Sequence, residues 1–380
     1  MSSPFQISTS SSGLPYAIRQ DICRPSIDLD LVRDYATRLR QRLDICKTPL
    51  VRIPAPRTLQ ATVLVKDEGR QHTGSFKPRI MGPLLSRLER SRTPIARVCS
   101  VTTGNQGAAV AWAARRLGLS ALIFAPVTAT EYKLDRMRGF GAEIVQHADD
   151  GSPLLDYQAA ERYARQWALS HPGIYLVEHA GSPEIHSYGT LGLELLDQLV
   201  GIRAELSTTA VVVPTGAGGL SSGIFSVLKS LDPALTTIAV QTRPTNYLVP
   251  SLVRGENTEV ASTSGLVEDG INCGALEPEG YRALASATDI ALVADERAIP
   301  IGLQRLAAYG IRAEGAGALP FVALLQHHWL RNELCARGVT TVVLLNTGRN
   351  INPRRYAAFL APQRSRWTTH SAEALGHPAF

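Results

Sequence analysis

From Val63 onward, short apolar runs alternate with stretches of helical spacing. The runs are "TVLVK" (62–66), "RVCSV" (97–101), "ALIFAP" (121–126), "EIVQ" (143–146), "AVVVP" (210–214), "TIAVQ" (237–241) and "TVVLLN" (341–346). Most are rich in valine and isoleucine and bounded by glycine, proline or polar residues, which predicts buried strands. "GAAVAWAARRLG" (107–118) and "LLDYQAAERYARQWALS" (154–170) read as helices between them. Alternating units of this kind predict an α/β fold with mainly parallel sheets, covered by helices on both faces. No internal repeat is present. "MSSPFQISTSSSG" at the start reads as a loose tail, not a signal peptide, and the polar segment from Pro362 reads as peripheral.

Composition narrows the picture without deciding it. The chain has 380 residues, 44% hydrophobic and 19% charged, enough for a two-domain protein with a large core. No apolar stretch of transmembrane length occurs, so no membrane partner is expected. The net charge of +6 is spread along the chain. Without basic blocks or interleaved aromatic residues it does not predict nucleic-acid binding. It suits anionic small molecules, and a compositional bias toward arginine explains it equally well. Cys23, Cys46, Cys99, Cys273 and Cys335 lie far apart and form no CxxC pair. That pattern predicts a reduced, cytoplasmic chain without a zinc site.

Two turns carry candidate chemistry. "VTTGNQG" (101–107) leads a strand into an Ala-rich helix, whose unpaired N–H groups and positive dipole end suit an anion. Ordinary helix capping is the alternative. "PTGAGGLSSG" (214–223) also joins a strand to a helix, and its glycines let backbone N–H groups close around a phosphate. A tight turn without a ligand is the alternative. The loop partly imitates the dinucleotide fingerprint, but Ser221 stands where the third glycine belongs. The strand that follows ends in Gln241, Thr242 and Arg243, which offer a ribose no carboxylate. Arg243 leaves a phosphorylated nicotinamide cofactor, and so an oxidoreductase, as a remote reading.

Lysine use sharpens the question. There are only five lysines, and Lys77 lies in "HTGSFKPR" (72–79), between an aromatic residue and a proline. Either it is a surface charge or chemistry needs a primary amine there.

Taken together and in order, these segments resemble the pyridoxal-phosphate enzymes of the tryptophan-synthase β type, the fold-type-II group, over roughly residues 45 to 350. "KDEGRQHTGSFKPR" is similar to the lysine segment of threonine synthases. "TTGNQGAAVAWAARRLG" is similar to the asparagine loop of threonine synthases and serine/threonine dehydratases alike. "SPEIHSYGTLGLELLDQL" (182–199) and "DGINCGALEPEGYRALASATDIALVADE" (269–296) look more like the dehydratases. The fifth motif is "LLNTGRN" (344–350).

The resemblance implies pyridoxal 5'-phosphate as cofactor and a role for each residue. Lys77 would carry the cofactor aldehyde as a Schiff base and later act as the base at Cα. Asn105 would donate to the phenolic oxygen. Thr102, Thr103, Gly104 and Gln106 would hold the substrate carboxylate, and Thr103 also joins Lys77 as a candidate catalytic residue. Gly216, Ala217, Gly218, Gly219 and Leu220 would bind the phosphate. Thr347 would meet the pyridine nitrogen. A neutral hydroxyl does not keep that nitrogen protonated, so the ring is a weaker electron sink and loss of a β-substituent is the natural path. A capping threonine at a strand end is the alternative.

The implied architecture is a larger domain of 1–82 and 188–380, carrying the N-terminal tail, and a smaller one of 83–187. The implied activity is that of a β-eliminating ammonia-lyase acting on L-threonine or L-serine. Alternatives are a β- or γ-replacing synthase, as in threonine synthase, and a relative that only binds cofactor. The expected partners are a small amino-acid substrate and a second copy in a homodimer. Some positions depart from the pattern. Pro78, Arg79 and Ile80 stand where threonine synthases carry Asp-Arg-Gly, and Gln241 replaces a metal-binding glutamate of related racemases, so no metal is expected. Glu314, in "AEGAGALP", matches a dehydratase motif without an assigned role.

Overall fold

The seven predicted runs all form strands, with ends displaced by at most two residues. In chain order the strands are β1 (Phe5–Thr9), β2 (Pro15–Arg19), β3 (Leu50–Ile53), β4 (Thr62–Asp67), β5 (Arg97–Val101) and β6 (Ser120–Phe124). They continue with β7 (Ala142–Val145), β8 (Ile174–Leu176), β9 (Thr209–Pro214), β10 (Thr236–Thr242), β11 (Ile290–Ala294) and β12 (Thr341–Asn346). The computed structural model describes residues 3–23, 25–127, 129–146, 157–260 and 269–361. The helix expected over 154–170 runs from Tyr157 to Ser170. Residues 154–156 and the segment from Pro362 lie outside the described residues.

The described strands make two sheets. An eight-stranded sheet has the order β1-β2-β11-β10-β9-β12-β4-β3, and a four-stranded sheet has the order β7-β6-β5-β8. The neighbours from β11 through β4 are all parallel, as is every pair in the small sheet. Antiparallel pairing is confined to the edges, β1 with β2, β2 with β11, and β3 with β4.

The period-two geometry of a strand sorts its side chains onto two faces. Val211, Val213, Val343 and Leu345 enter one core with Tyr188, Leu191, Phe225 and Leu228. Ala210, Val212, Val342 and Leu344 enter the other with Leu303, Leu319 and Val322. Both faces of the central strands are therefore covered, which explains runs that are apolar throughout instead of alternating.

One expectation is corrected. The N-terminal segment is not a loose tail, since β1 and β2 form a hairpin that extends the large sheet. Phe5 and Ala17 are buried in its core, and Gly13 turns the chain at φ +73. Its serine-rich composition hid two five-residue strands.

The loops that follow β4, β5, β9 and β12 at their carboxyl ends hold Lys77, Asn105, the 216–220 glycines and Thr347. Parallel strands gather such loops on one side of a sheet, where crevices form. No helix among the described residues is long and apolar enough to cross a membrane.

Candidate active site

The lysine loop is built by pairing with the loop after β12. Arg349 N–H donates to the Gly74 carbonyl at 2.9 Å, and Phe76 N–H donates to the Thr347 carbonyl at 3.0 Å. The Asn350 amide donates to the Thr73 carbonyl at 2.8 Å. Gly74 has φ +71, and a Cβ there would collide with the Asn350 side chain. Glycine is thus required on both counts. Pro78 then stands in the first positions of the short 3-10 turn Lys77–Met81.

The Lys77 amine has two hydrogen-bond partners among the described residues, both neutral. It donates to Gln106 Oε1 at 3.1 Å and to the Tyr188 hydroxyl at 3.3 Å. The Phe76 and Tyr188 ring centroids lie 5.0 and 5.7 Å away. Burial pushes the amine down to about 8, against the opposing pull of Cys273 and Glu314. With no carboxylate bonded to it, a far larger share of this amine than of an exposed lysine is unprotonated near neutrality, as a nucleophile requires.

The asparagine loop is tied to the same frame. Gly104 N–H donates to Thr102 Oγ1 at 3.0 Å, and the helix Asn105–Leu117 begins immediately after. Thr102 is buried and Thr103 half-buried at its start. Asn105 donates to Glu314 Oε1 at 2.8 Å and accepts from the Asn350 amide at 2.7 Å. Glu314 Oε2 accepts the Asn350 backbone N–H at 3.1 Å. This gives Glu314 a role the sequence left open, since it clamps the asparagine loop to the loop after β12. Lys133 crosses the turn, with its Cδ 2.9 Å from where a Cβ of Gly104 would stand.

The Gln106 side chain is engaged within the protein. Its amide nitrogen donates to Ser100 Oγ at 3.0 Å and to the Glu178 carbonyl at 3.1 Å, and its oxygen receives Lys77. The side chain faces the lysine, so only the backbone N–H of Gln106 is left for a carboxylate at the helix start.

The glycine loop joins β9 to the helix Gly219–Leu231. Gly218 has φ +99, and a Cβ on Gly219 would stand 2.8 Å from the His179 carbonyl. A Cβ on Gly216 would stand 3.1 Å from Cys273 Sγ. Ala217 lies between them and its carbonyl accepts from Glu277 N–H at 3.0 Å, while Leu220 is buried. The first intrahelical bond is from Ser222 N–H to Gly218. The N–H groups of Gly219, Leu220 and Ser221 are donors of a helix start without a partner among the described residues, suited to a phosphate, whereas the Ala217 N–H faces Cys273. A free amine, this cradle and the buried Thr347 fit an aldehyde-bearing pyridine phosphate.

Several residues that pack around the site had no role assigned from the sequence. Behind Lys77, Arg79 bonds Glu68 through Nε at 2.8 Å and Nη2 at 2.9 Å, and Glu194 at 2.9 Å. Lys66 pairs with Glu194 at 2.5 Å. Lys66, Glu68 and Arg79 are all buried. Burial pushes the Glu194 carboxyl up, yet Arg79 and Lys66 hold it below the usual range. Beside the glycine loop, His179 Nε2 donates to the Val101 carbonyl at 2.9 Å, and Tyr157 also bonds the imidazole. Burial, with Lys77 adding, pushes His179 down to about 3, so its ring is neutral.

Gln241 is structural. Its oxygen accepts the N–H groups of Tyr247 and Leu248 at 3.1 and 2.8 Å, and its nitrogen donates to the Thr215 carbonyl at 3.1 Å. Among the described residues no group of three or more His, Cys, Asp or Glu is placed to hold a metal.

Fold and site together define an enzyme built to hold pyridoxal phosphate. A family model for pyridoxal-phosphate dependent enzymes matches residues 42–348, and the chain belongs to that family. Among curated relatives, the chain is similar to the catabolic L-threonine dehydratase TdcB of Staphylococcus aureus, strain USA300. The two are 28% identical over 325 residues, covering 83% of this chain and 87% of the relative. Among solved structures it resembles a T.th. threonine deaminase, with a TM-score of 0.70 and 28% identity over 84% of this chain and 98% of that one. It also shares its fold with diaminopropionate ammonia lyase from Escherichia coli, with a TM-score of 0.78 and 20% identity over 95% and 98% of the two chains.

Proposed function

We infer that this chain is a pyridoxal-phosphate-dependent ammonia-lyase that removes the β-hydroxyl of L-threonine or L-serine, giving a keto acid and ammonia. The observation that carries the reading is the Lys77 amine, free of any bonded carboxylate and pushed down to about 8, where three cross-bonded loops meet. Similarity to threonine dehydratase and threonine deaminase supports the choice of substrate. When bound, the cofactor supplies an aldehyde for the substrate amine and a conjugated ring that draws electrons from Cα.

The chain's own residues do the rest. N–H groups at the start of the helix Asn105–Leu117, with Thr102 and Thr103, hold the substrate carboxylate. The 216–220 loop anchors the phosphate, and Asn105 and Thr347 orient the ring. Lys77 takes the Cα proton. We further propose that residues 83–187, which contain the four-stranded sheet, act as the smaller domain and exclude water on closing. A cytoplasmic homodimer is the proposed working form.

Purified, cofactor-loaded protein with L-serine or L-threonine alone should release keto acid and ammonia at a steady rate, unchanged by an added nucleophile. Phosphohomoserine should be a poor substrate, because Pro78 stands where threonine synthases carry an acidic residue. Inert L-serine and L-threonine alongside rapid turnover of phosphohomoserine or an O-activated serine would replace elimination with a replacement reaction.

A further inference from the structure

We propose that the Gln106 carboxamide oxygen and the Tyr188 hydroxyl form a dock for the Lys77 amine whenever it is not bonded to the cofactor. The dock holds the base at one place while it takes the Cα proton onto its lone pair. This rests on the functional reading above.

The geometry favours a built dock over an incidental contact. A lysine has a long flexible stem and, once released, samples many positions unless it is held. Gln106 is 1% exposed, and two of its amide's acceptors are the carbonyls of Val177 and Glu178, at 3.4 and 3.1 Å. Carbonyls only accept, so the nitrogen must face them and the oxygen must face Lys77. Tyr188 is also 1% exposed, in the helix Ser182–Gly201. Its ring packs on Phe76 with centroids 5.3 Å apart, so both rings flank the amine.

Both partners are neutral, and burial holds the Tyr188 phenol well above its ordinary value. A carboxylate in either place would lock the lysine as an ammonium ion. A neutral dock orients it and leaves it free to accept a proton. Of the other titratable groups around the amine, Cys273 and Glu314 act on its charge without a bond, and His179 is neutral beside it.

The test is made on cofactor-free protein with acetic anhydride, which acylates only the unprotonated amine. Peptide mass mapping follows Lys77 against pH, with exposed Lys47 as the internal control. Tyr188→Phe keeps the ring and removes an acceptor that favours the ammonium form. The pH midpoint of Lys77 acetylation should fall by about one pH unit, with the Lys47 profile unchanged. Gln106→Met should shift it in the same direction.

In the loaded enzyme, Tyr188→Phe should lower kcat more than it alters KM and raise the isotope effect with Cα-deuterated L-serine. A folded Tyr188→Phe protein whose Lys77 acetylates with the wild-type midpoint would overturn the dock. The acylation experiment needs no substrate, so failure of L-serine turnover would count against the functional reading alone.

Discussion

Lys77→Ala is expected to lose the near-visible absorbance of the cofactor-loaded protein and to lower turnover of L-serine at least about a thousandfold. The size follows from the two tasks of one atom, since the same nitrogen anchors the cofactor and serves as base. Lys77→Arg should fail as badly. A guanidinium keeps the positive charge but stays protonated and does not bond an aldehyde. Circular dichroism should show an intact fold in Lys77→Ala, because among the described residues Lys77 bonds two neutral groups. Wild-type turnover in either variant would end the assignment of Lys77.

The largest effect on stability is expected from Glu68→Gln. The pairing of Arg79 and Lys66 with Glu68 and Glu194 balances two buried cations against one buried and one half-buried anion. Glu68 Oε1 accepts from Thr48 Oγ1 and Arg79 Nη2, and Oε2 accepts from Arg79 Nε. Whichever way a glutamine amide is turned, its nitrogen faces a donor and the positive charge is left in excess. Breaking a buried pair in this way costs about 3–5 kcal/mol. With an unfolding entropy of about 2.1 cal/mol/K per residue, the melting temperature should drop by about 5 °C. Differential scanning calorimetry measures it, and an unchanged melting temperature would show that the network does not stabilise the fold. Because Arg79 shares the short turn of Lys77, reduced turnover should accompany the loss.

The same residues show what the sequence revealed and what it did not. Strands β4, β9, β10 and β12 were legible because both their faces are buried, leaving uninterrupted apolar runs. β8 has three residues, too short for a periodic signal, while β3 and the apolar β11 were passed over although strands of the same length were read. β1 and β2 were obscured by serine-rich flanks. At the site, the turns themselves were legible, since Lys77, Asn105 and the glycines 216, 218 and 219 each follow the carboxyl end of a strand. Tyr188, Glu194 and Asn350 were not singled out, although each lies inside a segment that drew attention. Their roles depend on partners more than 100 positions away, Tyr188 on Lys77, Glu194 on Arg79 and Asn350 on Asn105 and Thr73. No local spacing encodes such pairs. Gln106 shows the converse. Its place in the loop was legible, but the direction of its side chain was set by Ser100 and Glu178.

Borohydride reduction of the cofactor-loaded protein, followed by peptide mass mapping, decides which lysine carries the cofactor. One pyridoxyl-phosphate adduct per chain is expected, on Lys77, with Lys47, Lys66, Lys133 and Lys229 unmodified. An adduct on Lys133 or any other lysine in place of Lys77, or no adduct from a yellow protein, would contradict the assignment of Lys77.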